Sequence, residues 1–183
     1  MSQTPLRAAT TLAFSELERA LTTKSTKTPS AAQLAELPAK SALFVTWTKR
    51  GQLRGCIGTF AQLALANGIK KYALIAALED TRFRQIRASE LPSLAVAVTL
   101  LGELVKCADK YDWELGKHGV EAVFADGASA TFLPDVPVEQ GWTKKDTLEA
   151  LAAKAGTESQ SLTLYRYEGT KEEMSYAEYI AQE

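Results

Sequence analysis

Arg54-Gly55-Cys56-Ile57-Gly58 sets a thiol between two glycines, with a guanidinium two residues ahead of it. The thiolate is the nucleophilic and metal-binding form of cysteine, and a nearby cation favours it. Glycine permits left-handed backbone angles and close approach of another group. The pattern describes a nucleophilic or ligand-binding Cys56 on a strand-end turn, with Arg54, Gly55 and Gly58 shaping the binding surface. The alternative is a cysteine packed as a small apolar residue, which is the commoner fate of a free thiol.

Arg82, in Asp80-Thr81-Arg82-Phe83, could clamp a carboxylate or phosphate through paired N–H donors, or close a salt bridge at a helix end. His118, the one histidine, lies in Gly116-Lys117-His118-Gly119. A neutral imidazole there could take a proton from a thiol, or occupy a turn pinned by its glycines. Between Ala130 and Trp142, Asp135 and Glu139 offer carboxylates for acid–base work, and Trp142 offers an aromatic wall. The other reading of that stretch is a rigid irregular connection whose tryptophan plugs the core. One histidine excludes zinc sites that need two, and no carboxylate spacing suggests magnesium or calcium. No metal site is therefore expected, and the sequence names no cofactor.

The elements that must position these groups are legible in outline. Thr4-Pro5 can start a helix that buries Leu6, Ala9, Ala13, Leu17 and Ala20 on one face. Leu43 to Thr48 is β-branched and aromatic, and Lys49-Arg50-Gly51-Gln52 fits a hairpin turn into a second strand ending at Gly55–Gly58. A helical period runs from Leu65 to about Asp80, followed by a buried-type strand from Ala95 to Leu101. Val120–Ala125 and Ala130–Leu133 read as a pair joined by Asp126-Gly127-Ala128-Ser129. Pro134 to Trp142 reads as irregular. Thr143 with Asp146 forms a capping box for a helix that Gly156 stops. Leu162 to Tyr167 is a last strand, and Ser175 with Glu178 begins a final short helix. Without strict βαβ alternation, the fold class is α+β, with mixed and antiparallel sheets and packed helices.

At 183 residues and 46% hydrophobic content, the chain can bury one medium-sized core, and residues 1–183 are expected to form a single domain. Twenty-one basic against 22 acidic residues leave a net charge of −1. Nucleic-acid binding is therefore not favoured, because phosphate neutralisation needs a basic excess. Two cysteines outside any C-x-x-C spacing are expected as free thiols in a reducing compartment. No signal pattern and no membrane-length apolar run is present. The expected location is cytoplasmic or nuclear, with no membrane association.

Five segments together resemble the AMMECR domain family, named for a chromosomal region linked to Alport syndrome, midface hypoplasia and elliptocytosis. They are Leu53 to Phe60; Asp80-Thr81-Arg82-Phe83 with Glu90-Leu91-Pro92-Ser93-Leu94; Trp113-Glu114 with Gly116-Lys117-His118-Gly119; Ala130 to Trp142; and Tyr165-Arg166-Tyr167 with Tyr176-Ala177-Glu178-Tyr179. The wording of Asp80–Phe83 and Val136–Trp142 is closer to the eukaryotic branch. Ala95 replaces an acidic residue of many relatives, Arg84 replaces a serine or proline, and the Pro29–Pro38 stretch is short. The resemblance implies one α+β unit of two lobes around a cleft. It also implies an intracellular regulatory factor, associated in prokaryotes with partners similar to the Memo protein and radical-SAM enzymes. It brings no settled activity.

Two readings of function follow. The first is a regulatory protein that binds a protein or small molecule through a cleft floored by Leu53–Phe60, with Arg54, Gly55, Gly58, Arg82 and Trp142 on the binding surface. The second is a cysteine-dependent enzyme or enzyme component acting on a small anionic substrate, with Cys56 as nucleophile and His118 or Glu139 moving protons. The first ranks higher because no residue pair sits at a spacing that demands catalysis.

Overall fold

Leu12, Phe14 and Leu17 are fully buried on the first helix, α1 (Arg7–Thr22), which lies on the sheet it helps to cover. A computed structural model of the chain describes residues 6–182, so the expected Thr4-Pro5 start lies outside the described residues. After α1 come α2 (Ala31–Ala35), β1 (Lys40–Lys49), β2 (Gln52–Ala64) and α3 (Leu65–Leu78). A 3₁₀ turn over Ala88–Ser93 leads into β3 (Leu94–Leu101). Then follow β4 (Val105–Lys106), β5 (His118–Phe124), β6 (Ser129–Phe132), α4 (Asp135–Glu139) and α5 (Lys144–Ala155). The long strand β7 (Leu162–Ser175) and α6 (Tyr176–Ile180) close the chain. The fold class is α+β, and the strand pairs are antiparallel.

The chain divides into two compact units. The first holds the described residues up to Leu101 and from Thr170 on; the second is Gly102–Gly169. In the first unit, β1 lies between β2 and β3, and α1 and α3 bury Leu43, Val45, Trp47, Val96 and Val98 beneath them. Trp47 is fully buried and donates its indole N–H to the Ala73 carbonyl at 2.9 Å, which ties β1 to α3. In the second unit, β5 lies between β6 and β7, and β4 adds two residues along β7. Val120, Ala122, Leu164, Leu151 and Trp113 form its separate core.

Local signals place most element ends. Arg50 (φ 52°) and Gly51 (φ 79°) make the left-handed two-residue turn between β1 and β2. The boxes Thr143/Asp146 and Ser175/Glu178 cap α5 and α6, and Gly156 (φ 69°) ends α5. Three expectations need correction. Gly55–Gly58 is not a strand end, because β2 runs on to Ala64 with Thr46 opposite Cys56 and Phe44 opposite Gly58. Pro134 to Trp142 is not wholly irregular. Residues 135–139 form α4, whose prolines stand at the cap and in the first turn, where a missing N–H breaks no helical bond. His118 is not a turn residue; it opens β5 and is buried.

A buried carboxylate locks the ends of the first unit together. Glu18 of α1 accepts from Tyr176 Oη at 2.6 Å, Tyr179 Oη at 3.1 Å and Thr26 Oγ1 at 2.8 Å, and also from the Thr26 N–H. Burial alone would raise its pKa, but these donors outweigh burial and hold it low. Glu18→Gln turns an amide towards four donors and should cost about 2 kcal/mol in urea unfolding. Glu16→Gln, which removes only partly solvated ion pairs, should stay within about 1 kcal/mol. Equal losses from the two substitutions would refute a special role for Glu18.

Candidate functional site

The free edge of β2 carries the densest polar geometry of the first unit. The backbone of Cys56 is engaged by the segment that follows α3. The N–H donates to Asp80 Oδ2 at 3.0 Å, and the C=O accepts from Arg82 Nη2 at 3.1 Å. Asp80 and Arg82 are themselves paired in two places, Nε to Oδ1 at 3.0 Å and Nη2 to Oδ2 at 2.7 Å. An ion pair thus stands where a neighbouring strand would, satisfying both groups of an edge residue. Arg82 holds the buried Asp80 carboxyl down at about 2, against burial, and the Cys56 N–H adds to the effect.

Arg54 makes a second clasp. It is the extra residue of a β-bulge, since Leu53 pairs Thr48 while Gly55 pairs Trp47. Its guanidinium grips Glu90 with Nε at 3.1 Å and Nη2 at 3.0 Å, and donates to the Arg84 carbonyl at 2.6 Å. Lys49 Nζ reaches the same carboxylate at 2.7 Å. Arg54 first, then Lys49 and the Arg87 N–H, bring Glu90 down to about 2 against burial. Arg54 is thereby engaged with the loop after α3. Gly55 and Gly58 serve close packing: a Cβ on Gly55 would lie 2.0 Å from the Ala76 carbonyl oxygen of α3. One on Gly58 would lie 2.3 Å from both the Leu43 carbonyl oxygen and the Phe44 ring. The Cys56 thiol stands 3.1 Å from Thr46 Oγ1, a hydroxyl that shares a hydrogen bond but is no base at neutral pH.

In the second unit His118 is fixed from its own loop. Its Nδ1 accepts the Glu114 N–H at 2.9 Å, so the neutral ring carries its proton on Nε2. Nε2 stands 3.6 Å from Glu168 Oε1, and Lys117 Nζ stands 3.5 Å from the same oxygen. These groups line a cavity of about 420 Å³ with Gly102, Glu103, Val105 and Arg166. Arg166 donates to Asp112 Oδ1 at 2.5 Å and to the Asp112 carbonyl at 2.6 Å. Gly119 lies opposite Tyr167, and a Cβ there would be 2.2 Å from its ring. Burial pushes the Tyr167 hydroxyl up to about 12.

Glu139 ends α4 and is exposed. Gly141 (φ 68°) turns the chain left-handed after α4, and the Trp142 N–H returns to the Pro137 carbonyl at 2.8 Å. The half-buried Trp142 ring meets Phe132 edge-on, with centroids 5.4 Å apart. The expected site residues thus fall into two sets: Arg54, Gly55, Cys56, Gly58 and Arg82 in the first unit, and His118, Glu139 and Trp142 in the second. Sequence reasoning missed Glu90 as the partner of Arg54, and also Lys117, Arg166 and Glu168 around His118. Glu90 was visible as the acidic head of Glu90–Leu94. Arg166, a charge between two tyrosines of a strand, was the available signal for the cavity. Among the described residues, no group of three His, Cys, Asp or Glu side chains could hold a metal. No helix among them is long and apolar enough to cross a membrane.

The AMMECR1 family model matches residues 10–172, a span that contains both the β2 clasps and the His118 cavity. An uncharacterized protein of Saccharomyces cerevisiae is 41% identical over 180 residues, covering 78% of this chain and 72% of that one. An uncharacterized protein of Arabidopsis thaliana is 42% identical over 160 residues, covering 78% and 75%. The crystal structure of an uncharacterized protein from Pyrococcus horikoshii superposes with a TM-score of 0.76 at 26% identity, covering 92% of this chain and 89% of that one. The chain belongs to the AMMECR1 family.

Proposed function

We propose that residues 1–183 work as one AMMECR-type domain of an intracellular regulatory protein, and that it acts by binding a protein or small molecule rather than by covalent chemistry. The observation that carries this reading is how the Leu53–Phe60 segment uses its polar groups. Arg54 is spent on Glu90, and the Cys56 backbone on Asp80 and Arg82. A segment so engaged is a rigid platform. Arg82 keeps a binding role within it: its side chain is 55% exposed and can offer an outer N–H to an anion while still holding Asp80. Nucleic acid is not favoured as a partner at a net charge of −1.

One observation favours the cysteine-dependent enzyme instead. Arg82 Nη2 bonds the carbonyl of Cys56 itself at 3.1 Å, so the guanidinium lies within electrostatic reach of the thiol and would favour a thiolate there. Asp80 raises the Arg82 pKa first, and an ionised Cys56 would add to it. Alkylation by iodoacetamide separates the two readings. The variant Cys107→Ser is used, since the buried Cys107 thiol is itself pushed up by burial and would add a slow background. On the binding reading Cys56 reacts no faster than glutathione between pH 6 and 9. A rate about tenfold faster at pH 7, abolished in Arg82→Gln, would overturn it in favour of the enzyme.

A further inference from the structure

The cavity of the second unit is lined by donors and acceptors that meet one another only through long ion pairs. The His118 side chain is 9% exposed, and its Nδ1 is filled by the Glu114 N–H. Its Nε2–H therefore points the remaining donor of a buried ring towards Glu168, and stops at 3.6 Å, short of direct bonding. Lys117 Nζ likewise stands 3.5 Å from Glu168 and 3.9 Å from Glu114. Arg166 differs: it is bound closely by Asp112. Around one space of about 420 Å³ there are thus two donors held only by ion pairs of 3.5 Å or longer, Lys117 and His118, and three carboxylates, Glu103, Glu114 and Glu168.

A ligand of one sign would meet repulsion from half of this lining. A ligand carrying both signs a few ångströms apart would complete it. Its carboxylate would take Lys117 Nζ and His118 Nε2–H, and its ammonium would take the glutamates. Val105 and Gly102 leave an uncharged wall for a side chain. Both principal ion-pair partners have room to adjust, since the Lys117 side chain is 52% exposed and that of Glu168 66% exposed. We infer that this cavity is a recognition site for the zwitterionic head of a free α-amino acid. The inference goes beyond the binding reading above and stands whether or not Cys56 is reactive.

The test is amide NMR titration of the full chain with L-leucine, L-leucinamide and N-acetyl-L-leucine. The amides of residues 102–105, 114–119 and 166–168 should shift saturably with leucine, and bind it at least about tenfold more tightly than either blocked analogue. In Lys117→Met, leucine should fall to the level of leucinamide. In the double variant Glu114→Gln, Glu168→Gln it should fall to the level of N-acetyl-leucine. Retained peak dispersion in each variant reports folding, which exposed side chains should not disturb. The head group is recognised without regard to side chain, so absence of saturable shifts at about 20 mM leucine would overturn the assignment. Leucinamide binding as tightly as leucine, or N-acetyl-leucine doing so, would also overturn it, by revealing a plain cation or anion site.

Discussion

Lowering the pH from 5 to 2 is expected to remove several kcal/mol of stability from the unit that contains β2. Asp80 and Glu90 both sit at about 2 in the folded chain, against ordinary values of 3.8 and 4.5. Depressed folded values mean that the unfolded chain takes up protons first as pH falls. The stabilisation is therefore complete above about pH 5 and is lost progressively towards pH 2. The shifts correspond to about 2 kcal/mol for Asp80 and about 3 kcal/mol for Glu90. Both side chains are well buried, at 3% and 14% exposure, so little is lost to solvent screening. Hydrogen exchange of the β2 amides, followed from pH 2 to 6 after correction for intrinsic rates, measures the effect locally. Cys56 is the most telling probe, because its N–H is donated to Asp80. The double variant Asp80→Asn, Glu90→Gln should be less stable at pH 6 and should lose most of the pH dependence, the remainder coming from Glu18 and Glu178, which are also held low. A wild-type pH dependence in that variant would disprove the assignment.

That experiment also bears on why the family segments travel together. Leu53–Phe60, Asp80–Phe83 and Glu90–Leu94 are distant in sequence and joined in space. Asp80 closes on Cys56 across 24 residues, and Arg54 on Glu90 across 36. A carboxylate and a guanidinium act in place of an absent strand, and a bulge turns Arg54 onto the following loop. Thus a motif centred on a cysteine is, in its polar backbone and flanking arginine, a device for holding the α3–β3 connection against an exposed edge. The thiol lies on that platform without being needed to build it.

What could be read from the sequence was what is decided within a few residues. The Arg50-Gly51 turn, the two capping boxes and the Gly156 stop depend on neighbours no more than five positions away, and each lies where its chemistry required. The α+β class followed from the order of those elements. The partners of Arg54 and of the Cys56 backbone were not legible, because pairing across 24 or 36 residues leaves no local periodicity. Residues 135–139 were misread since two prolines signal a break, although both stand where a short helix has no N–H to lose. Lys117, Glu168 and Arg166 passed as solvated charges. Only the pairing of β5 with β7 brings His118 opposite Glu168, and only that of β4 with β7 sets Val105 opposite Arg166.

The glycines give the sharpest contrast of all. Gly55→Ala is expected to cost about 3 kcal/mol or more, because the new methyl would lie 2.0 Å from the Ala76 carbonyl oxygen. Backbone of a buried helix cannot step aside without prising α3 from β2 and straining the bond from Trp47 of β1 to the Ala73 carbonyl of α3. Gly119→Ala meets a side chain instead, with Tyr167 Cζ at 2.2 Å and its hydroxyl at 2.6 Å. The ring must move and weaken its bond to the Phe132 carbonyl, which costs about 2 kcal/mol. The two positions should differ in whether they can be rescued. Tyr167→Leu is itself destabilising, but it removes the obstacle to a methyl at position 119. The pair Gly119→Ala, Tyr167→Leu should therefore be more stable than the sum of the single losses by about 1 kcal/mol or more. Ala76→Gly leaves the Ala76 carbonyl in place, so Gly55→Ala with Ala76→Gly should be additive to within about 0.5 kcal/mol. Urea denaturation of the four single and two double variants measures both couplings. Rescue of Gly55→Ala by Ala76→Gly would show that the approach of α3 to β2 is set by side-chain volume rather than by the helix backbone. Close approach of that backbone requires a residue without a Cβ at position 55, whatever Cys56 beside it does.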